Sequence, residues 1–360
     1  MKATAGKVIS LAERRQRFFA TGFRSMQECP PQSITDEATL DFVLPKAGIA
    51  LGAYVTIEAV IANVAGGAGG TKSQLGMATW LKNLSLVDAA GVTRINASGD
   101  GLRSLQEVSG FGYDEDASSD TSVYDFACPA ADGSEAWKMQ IYVPFSVGKF
   151  NSLGAIPLAL PMGQTRMSMK FNKLAAVNSI ISPIDATDDA TDFSITSATA
   201  YVTVLYIEPK AGEALPVEDF QFCREIVTVT DNSNLSPSTE KRIVLPTGRT
   251  YSRAITTLLD AASAPMIPVE TIDRVGLLLN GATPVFDIYY KTYVGIQSKG
   301  QGQRLSAGHV LFDMSKRAYS PNDFGEVALK LNLSSGFNGA VAKCDVTYDS
   351  LYRMAGKGIS

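Results

Sequence analysis

The sequence predicts an all-β protein: two jelly-roll β-sandwiches in tandem, each with a short inserted helix, preceded by an N-terminal amphipathic helix. Three observations predict it. First, apolar and polar residues alternate with a period of two in many short runs, as in Arg166–Asn172, where Met167, Met169 and Phe171 alternate with Arg166, Ser168 and Lys170. That period marks a strand with one buried face. Second, the runs are punctuated by turn formers, with 31 Gly and 16 Pro in 360 residues. Third, the order of elements in the first half returns in the second.

Taken in order, residues 1–28 stand apart from the rest. Lys2, Lys7, Arg14, Arg15, Arg17 and Arg24 face only Glu13 and Glu28. Ser10 and Glu13 form an S-x-x-E capping box, so a helix is expected from Leu11, with Gly22 as its stop. Leu11, Ala12, Phe18 and Phe19 share one face, interrupted by Arg15. Two readings stand side by side. The helix packs on its own domain, or it is a basic arm that docks on a membrane surface, a neighbouring subunit or packaged nucleic acid. The second is preferred, because so short a helix is marginal unless it docks on something.

Strands are expected at Thr39–Leu44, Tyr54–Asn63 and Leu81–Val87. At Ser98 the period changes: Leu102, Leu105 and Val108 fall on one side of a short helix capped by Ser98 or Asp100. After an acidic stretch (112–135), strands return at Met139–Phe145, Arg166–Asn172 and Ala200–Glu208. Pro209–Gly212 reads as the boundary. The expected division is an arm at 1–30, a first jelly roll at 31–210 and a second at 211–360. In the second half, strands are expected at Phe222–Thr230, Lys241–Leu245 and Arg274–Leu279, closed by an Asn280-Gly281 turn. A helix is expected to open at Thr283-Pro284. Strands follow at Val310–Asp313, Val327–Leu333 and Ala342–Tyr348. The parallels are IYVPFS with VLFDMS, RMSMKFN with EVALKLN, and AYVTVLYIE with VAKCDVTYDSL. Eight or so short strands per half with one helix fit a jelly roll better than a propeller.

Composition narrows the function. Hydrophobic residues make up 45% and charged residues 19%, and the net charge is −4, so no global case for nucleic-acid binding exists. No apolar run is long enough to span a membrane and no secretion leader opens the chain, so a soluble product is expected. Cys29, Cys128, Cys223 and Cys344 are far apart and read as reduced, mostly buried thiols. GGAGGTKS (66–73) has Thr71 where a phosphate-binding loop needs Gly. His309 is the sole histidine, which excludes multi-His metal sites and makes Ser-His-Asp catalysis hard to build. The acidic loop around Asp114, Glu115, Asp116 and Asp120 lacks calcium-loop spacing. No catalytic, cofactor-binding or metal residues are assigned. A structural or binding protein is favoured over an enzyme.

The stretch Tyr142-Val-Pro144, Leu153-Gly-Ala155, Gln164, Arg166, Phe171 and Asn172 resembles a segment of the double jelly-roll major capsid proteins of tailless icosahedral bacteriophages, the tectivirus type. The ordered plan of strands resembles that family over most of the chain. The resemblance implies a non-enzymatic structural protein without cofactors, made in the host cytoplasm and residing in the virion capsid. It implies homotrimers of pseudo-hexagonal outline, contacts with neighbouring trimers and with penton and minor capsid proteins, and no specific nucleic-acid sequence. The N-terminal helix would lie beneath, against an internal virion membrane or neighbouring trimers, which makes Arg14, Arg15, Arg17, Phe18, Phe19 and Arg24 the candidate assembly or membrane-facing residues. The alternatives are a receptor- or carbohydrate-binding β-sandwich of spike or lectin type, for which only Trp80 and Trp137 offer indole platforms, and a β-sandwich hydrolase.

Overall fold

The structure is a computed structural model that describes residues 11–63, 70–72, 76–109, 132–147, 153–160, 163–172, 181–183, 193–210, 222–231, 235–259, 266, 268–301, 308–315, 320–337 and 343–353. In the first half, helix α1 (Leu11–Thr21) leads into strands β1 (Phe23–Glu28), β2 (Gln32–Ser33), β3 (Thr39–Val43) and β4 (Ile49–Asn63). Next come β5 (Gly70–Lys72), a 3-10 turn (Gly76–Trp80), β6 (Leu81–Val87), β7 (Thr93–Ala97) and helix α2 (Gly99–Ser109). The half closes with β8 (Ser134–Pro144), β9 (Ile156–Pro157), β10 (Arg166–Phe171), β11 (Ile181–Pro183) and β12 (Phe193–Glu208). The second half contains β13 (Phe222–Asp231), β14 (Glu240–Val244), β15 (Thr250–Leu259), the single turn α3 (Pro268–Thr271), β16 (Ile272–Leu279) and β17 (Thr283–Tyr289). It ends with α4 (Tyr290–Gln301), β18 (His309–Asp313), the single turn α5 (Pro321–Phe324), β19 (Val327–Leu333) and β20 (Lys343–Arg353).

The sheet orders carry the architecture. The first sandwich pairs its strands β1-β12-β4-β8 in one sheet and β7-β6-β10-β3 in the other. The second pairs β13-β20-β15-β18 and β17-β16-β19-β14. Setting β1 against β13, β3 against β14, β4 against β15, β6 against β16, β7 against β17, β8 against β18, β10 against β19 and β12 against β20 makes the two orders identical. The helix between β7 and β8 is α2, and its counterpart between β17 and β18 is α4. Two four-stranded antiparallel sheets in this order form a jelly roll, so the chain is two jelly rolls of one plan.

Irregularities in the strands repeat as well. Gly52 faces Leu205 and Ala50 faces Tyr206, which leaves Leu51 over as a bulge. In the second sandwich Tyr251 faces Ser350 and Arg253 faces Asp349, which leaves Ser252 over. Both bulge carbonyls accept from just past the end of a neighbouring strand: Phe145 N donates to Leu51 O at 2.9 Å and Met314 N to Ser252 O at 2.9 Å. A bulge is conserved in place because it bends one strand at a set point. A second pair leaves Arg94 over in β7 and Val285 over in β17. Val43-Leu44-Pro45 and Val244-Leu245-Pro246 close equivalent strands, with Leu44 N bonded to Thr165 O and Leu245 N to Val327 O.

These registers correct one expected parallel. Arg166–Asn172 lies at the place of Ala328–Ser334, not of Glu326–Asn332 as the parallel of RMSMKFN with EVALKLN has it. A slip of two residues keeps every side chain on its face, so alternation alone cannot detect it. The helix expected at Thr283-Pro284 is also corrected. Thr283–Tyr289 is a strand along β16, and the helix begins at Tyr290. Phe286 and Ile288 pack on the second core while Val285 and Tyr289 are exposed. That is a strand's alternation, and it overrides the helix-opening signal of Thr-Pro. The Asn280-Gly281 turn has positive φ at both positions, 51° and 81°, as a tight hairpin requires.

One core fills the first sandwich around Trp80, Trp137, Phe42 and Phe171; a second is built on Tyr251, Phe312 and Phe337. Trp80 meets the Phe171 ring edge-on at 5.3 Å and donates its indole N–H to Asn172 O at 3.0 Å. The first core also includes Ile226, Ile255 and Leu311 of the second half, so apolar packing runs across the junction. The connection between β8 and β10, in its described part, packs on the sheet: β9 pairs with Ile49 and Ala50, and Leu158 N bonds to Gly48 O at 3.0 Å.

Candidate assembly surface

Helix α1 docks on the first sandwich. Phe18 is 3% exposed, in a cluster with Ile49, Leu51, Ala155 and Ile207, and Phe19 packs partly against it. The two rings meet edge-to-face at 5.4 Å. Gly22 ends the helix, its N–H on Phe18 O at 2.7 Å. A Cβ there would lie 2.5 Å from Ile207 Cγ2, so only Gly lets the chain turn this close to the sheet. Among the predicted arm residues, Phe18 therefore faces inward: burying an aromatic ring is worth about 1.5–3 kcal/mol, and the sheet end supplies the site. Arg17 and Arg24 are exposed. The side chains of Arg14 and Arg15 lie outside the described residues, as does Ser10 of the expected capping box. Arg24 is not on the helix but in β1, which pairs from Phe23 to Glu28 with β12.

The two sandwiches meet along a seam. β13 runs parallel to β7, with Ile226 opposite Ile95 and Val227 opposite Asn96. This pairing merges one sheet of each sandwich into a single eight-stranded sheet. Buried polar groups line it. Arg224 of β13 holds Asp349 with two hydrogen bonds of 2.8 and 2.7 Å and also donates to the main-chain carbonyl of Ser146, in the first sandwich. Gly154 bridges Cys223 with φ of 84°, and a Cβ on it would lie 2.6 Å from Arg224 Cβ. Ser98 caps α2 through Gly101 N at 3.1 Å, and its own N–H donates to Thr228 Oγ1 at 3.1 Å. Thr228 in turn meets Thr347 at 2.8 Å.

His309, buried at the start of β18, meets Asp100 of α2 across the seam, Nε2 to Oδ2 at 2.9 Å. Burial pushes the Asp100 carboxyl up, but the charge and hydrogen bond of His309, with Arg103 behind them, hold it below the ordinary carboxylate range. Asp345 goes the other way, raised by burial, with the Asp100 charge adding to it. An open groove of about 370 Å³ runs here, lined in part by Ser98, Asp100, Thr228, Thr230, Lys343 and Asp345.

The other sequence candidates scatter. Among the described residues, no three His, Cys, Asp or Glu side chains come together as a metal site. Cys29, Cys223 and Cys344 are buried free thiols. Burial pushes Cys29 up to about 11 and Cys344 up to about 12, so neither is a ready nucleophile. Cys128 and the acidic loop at 114–120 lie outside the described residues. Of GGAGGTKS, Gly70–Lys72 form a strand beside β11. No described helix is long and apolar enough to cross a membrane. The seam itself escaped the sequence reading, although the repeated Val-Leu-Pro tripeptide would have fixed the register that reveals it.

No family model matches the sequence, and no curated relative does. Solved structures do match. The major capsid protein (MCP) of Sulfolobus Turreted Icosahedral Virus, STIV, superposes with a TM-score of 0.68 at 14% identity, covering 92% of this chain and 97% of its own. VP54 of PBCV-1 gives 0.65 at 11% identity, over 93% and 95%. The major capsid protein P2 of bacteriophage PM2 gives 0.52 at 9% identity, over 94% and 100%. The chain thus has, over nearly its whole length, the double jelly-roll fold of these capsid proteins.

Proposed function

We propose that this chain is a major capsid protein, a non-enzymatic building block of an icosahedral virus shell that assembles as pseudo-hexagonal homotrimers. The observation that carries the reading is the duplication itself. Two sandwiches of identical strand order are fused side by side through a shared sheet, and the chain aligns with the STIV, PBCV-1 and PM2 proteins over 95% or more of their lengths. Fold alone hosts many functions, but this fold has a mechanical consequence. Two similar wedges per chain give six per trimer, a block that tiles a hexagonal lattice. A seam with Arg224, Asp349 and His309 buried in it, and Asp100 held against His309, holds the wedges at one angle, as a shell requires.

The division proposed is an arm at 1–30, a first jelly roll at 31–210 and a second at 211–360, with Phe23–Glu28 of the arm serving as an edge strand. Arg14, Arg15, Arg17 and Arg24 form the basic side of the arm that meets neighbouring trimers or an internal virion membrane, while Phe18 and Phe19 anchor the arm. Penton and minor capsid proteins are the further partners. Light scattering on the purified chain tests the reading: a trimer is expected. A monomer that persists at high concentration would overturn it.

A further inference from the structure

We propose that β17 of one copy lies edge to edge with β1 of the next, repeating between chains the seam that β7 and β13 make within one. The proposal rests on the capsid reading only for the number of copies in the ring.

The repeat supplies the argument. β7 and β13 are neighbours in the shared sheet. Their counterparts in the other sandwich are β17 and β1. Each of these has one partner among the described strands, β16 for β17 and β12 for β1. The chain thus ends in the same two edges that it joins at its middle.

The bulges fix the register. Since Leu51 matches Ser252, Leu205 matches Asp349. Met26 faces Leu205 and Ile226 faces Asp349, so Met26 stands where Ile226 stands. By the same step Gln27 matches Val227 and Arg24 matches Arg224. On the other edge, Arg94 matches Val285, so Phe286 matches Ile95 and Asp287 matches Asn96. Pro284, which has no N–H to give, then matches Thr93, outside the two-residue pairing.

Exposure differs as an unmade joint requires. Ile226, covered by the seam, is 1% exposed; Met26 is 69%. Cys223, Arg224, Glu225 and Ile226 are all buried, while Phe23, Arg24 and Met26 are all exposed. Arg94 and Ile95 are buried, whereas their counterparts Val285 and Phe286 are exposed and half-buried. Open edges bearing Phe, Met, Val and Tyr invite pairing, and folded proteins seldom leave them bare. A second copy is the one partner whose edge has the complementary form already present in this chain. Arg24 also has a matching position across the joint. Arg224 reaches the carbonyl of Ser146, and Ser315 holds the place of Ser146 after β18, so Arg24 is placed to reach Ser315 of the next copy. The contact is head-to-tail, which closes into a ring when the rotation divides the circle.

Paired cysteines test it. Parallel neighbours lie within disulfide reach, so the full chain carrying Gln27→Cys and Asp287→Cys should, after mild oxidation, give dimer and trimer bands on a non-reducing gel. Neither single variant should form them beyond the unmodified chain. Met26→Lys, at an exposed site, should keep the thermal midpoint of the separated chain but raise the concentration at which the trimer dissociates by at least ~10-fold, because it places a charge in the joint. Trimers that give no cross-link and tolerate Met26→Lys would overturn this joint and leave the capsid reading standing. A native chain that never associates would overturn both.

Discussion

Arg224 and Ser146 are 78 residues apart in sequence and belong to different sandwiches, yet the Arg224 guanidinium donates to the Ser146 carbonyl while gripping the Asp349 carboxylate. One buried cation therefore ties β20 of the second jelly roll to the segment just past β8 in the first. Arg224→Met leaves Asp349 charged and buried. The expected cost is about 3–5 kcal/mol in denaturant unfolding. Adding Asp349→Asn should return part of it. Equal loss in the single and double variants would show that the ion pair does not dominate there.

Gly101 sets how closely α2 approaches the second sandwich. A Cβ there would sit 2.2 Å from Thr347 Oγ1 and 2.8 Å from Thr228 Oγ1. Gly101→Ala gains helix propensity of about 1 kcal/mol and loses about 1–3 kcal/mol to overpacking. The net expectation is destabilisation that Thr347→Ala relieves. Stabilisation by Gly101→Ala alone would mean the seam yields easily.

The strands and the duplication were legible because burial imposes alternation, and alternation needs no partner to be visible. Met167, Met169 and Phe171 follow from it, and the Leu102–Val108 face follows from the change to helical spacing. The helix at Thr283 was misplaced because a local opening signal was weighed without the neighbouring strand β16. The seam was hidden for a different reason. Arg224, Asp349 and His309 are polar, and a sequence gives no sign that a polar residue is buried until its partner, 100 residues or more away, is known. Of the candidate surface, the basic arm was legible as charge, whereas the inward turn of Phe18 depends on Ile207 and Ala155 and was not.

Acid should loosen the seam through Asp100. Its carboxyl is held below the ordinary range in the folded chain. The stability this gives is present above the ordinary carboxylate pKa of about 3.9 and is lost as pH falls through the lowered value. Asp345, raised by burial, has the opposite sign: its contribution is present below that pKa and lost as pH rises through the raised value. Asp100→Asn should lower stability at pH 7 by about 1.5–3 kcal/mol and flatten the acid limb. Asp345→Asn should raise stability at pH 7. Thermal melts across pH 2–8 check both, and a shared sign would contradict the assignment.

Removing residues 1–21 should leave a folded chain and weaken assembly. The cut spares β1; removal to residue 24 takes Phe23 and Arg24 out of its pairing with β12. Phe18→Ala should cost about 3 kcal/mol at most, since the ring lies in a small cluster beside the main core. Charge reversal at Arg17, which is exposed, should change stability by less than ~0.5 kcal/mol and act on shell formation or vesicle binding instead. Insoluble product from the 1–21 deletion would make the helix part of the core.

Negative-stain electron microscopy of the purified chain tests the central claim most directly. The account predicts ring-shaped particles with threefold symmetry and six lobes, two from each chain. Uniform two-lobed single particles at concentrations where light scattering detects no association would contradict it.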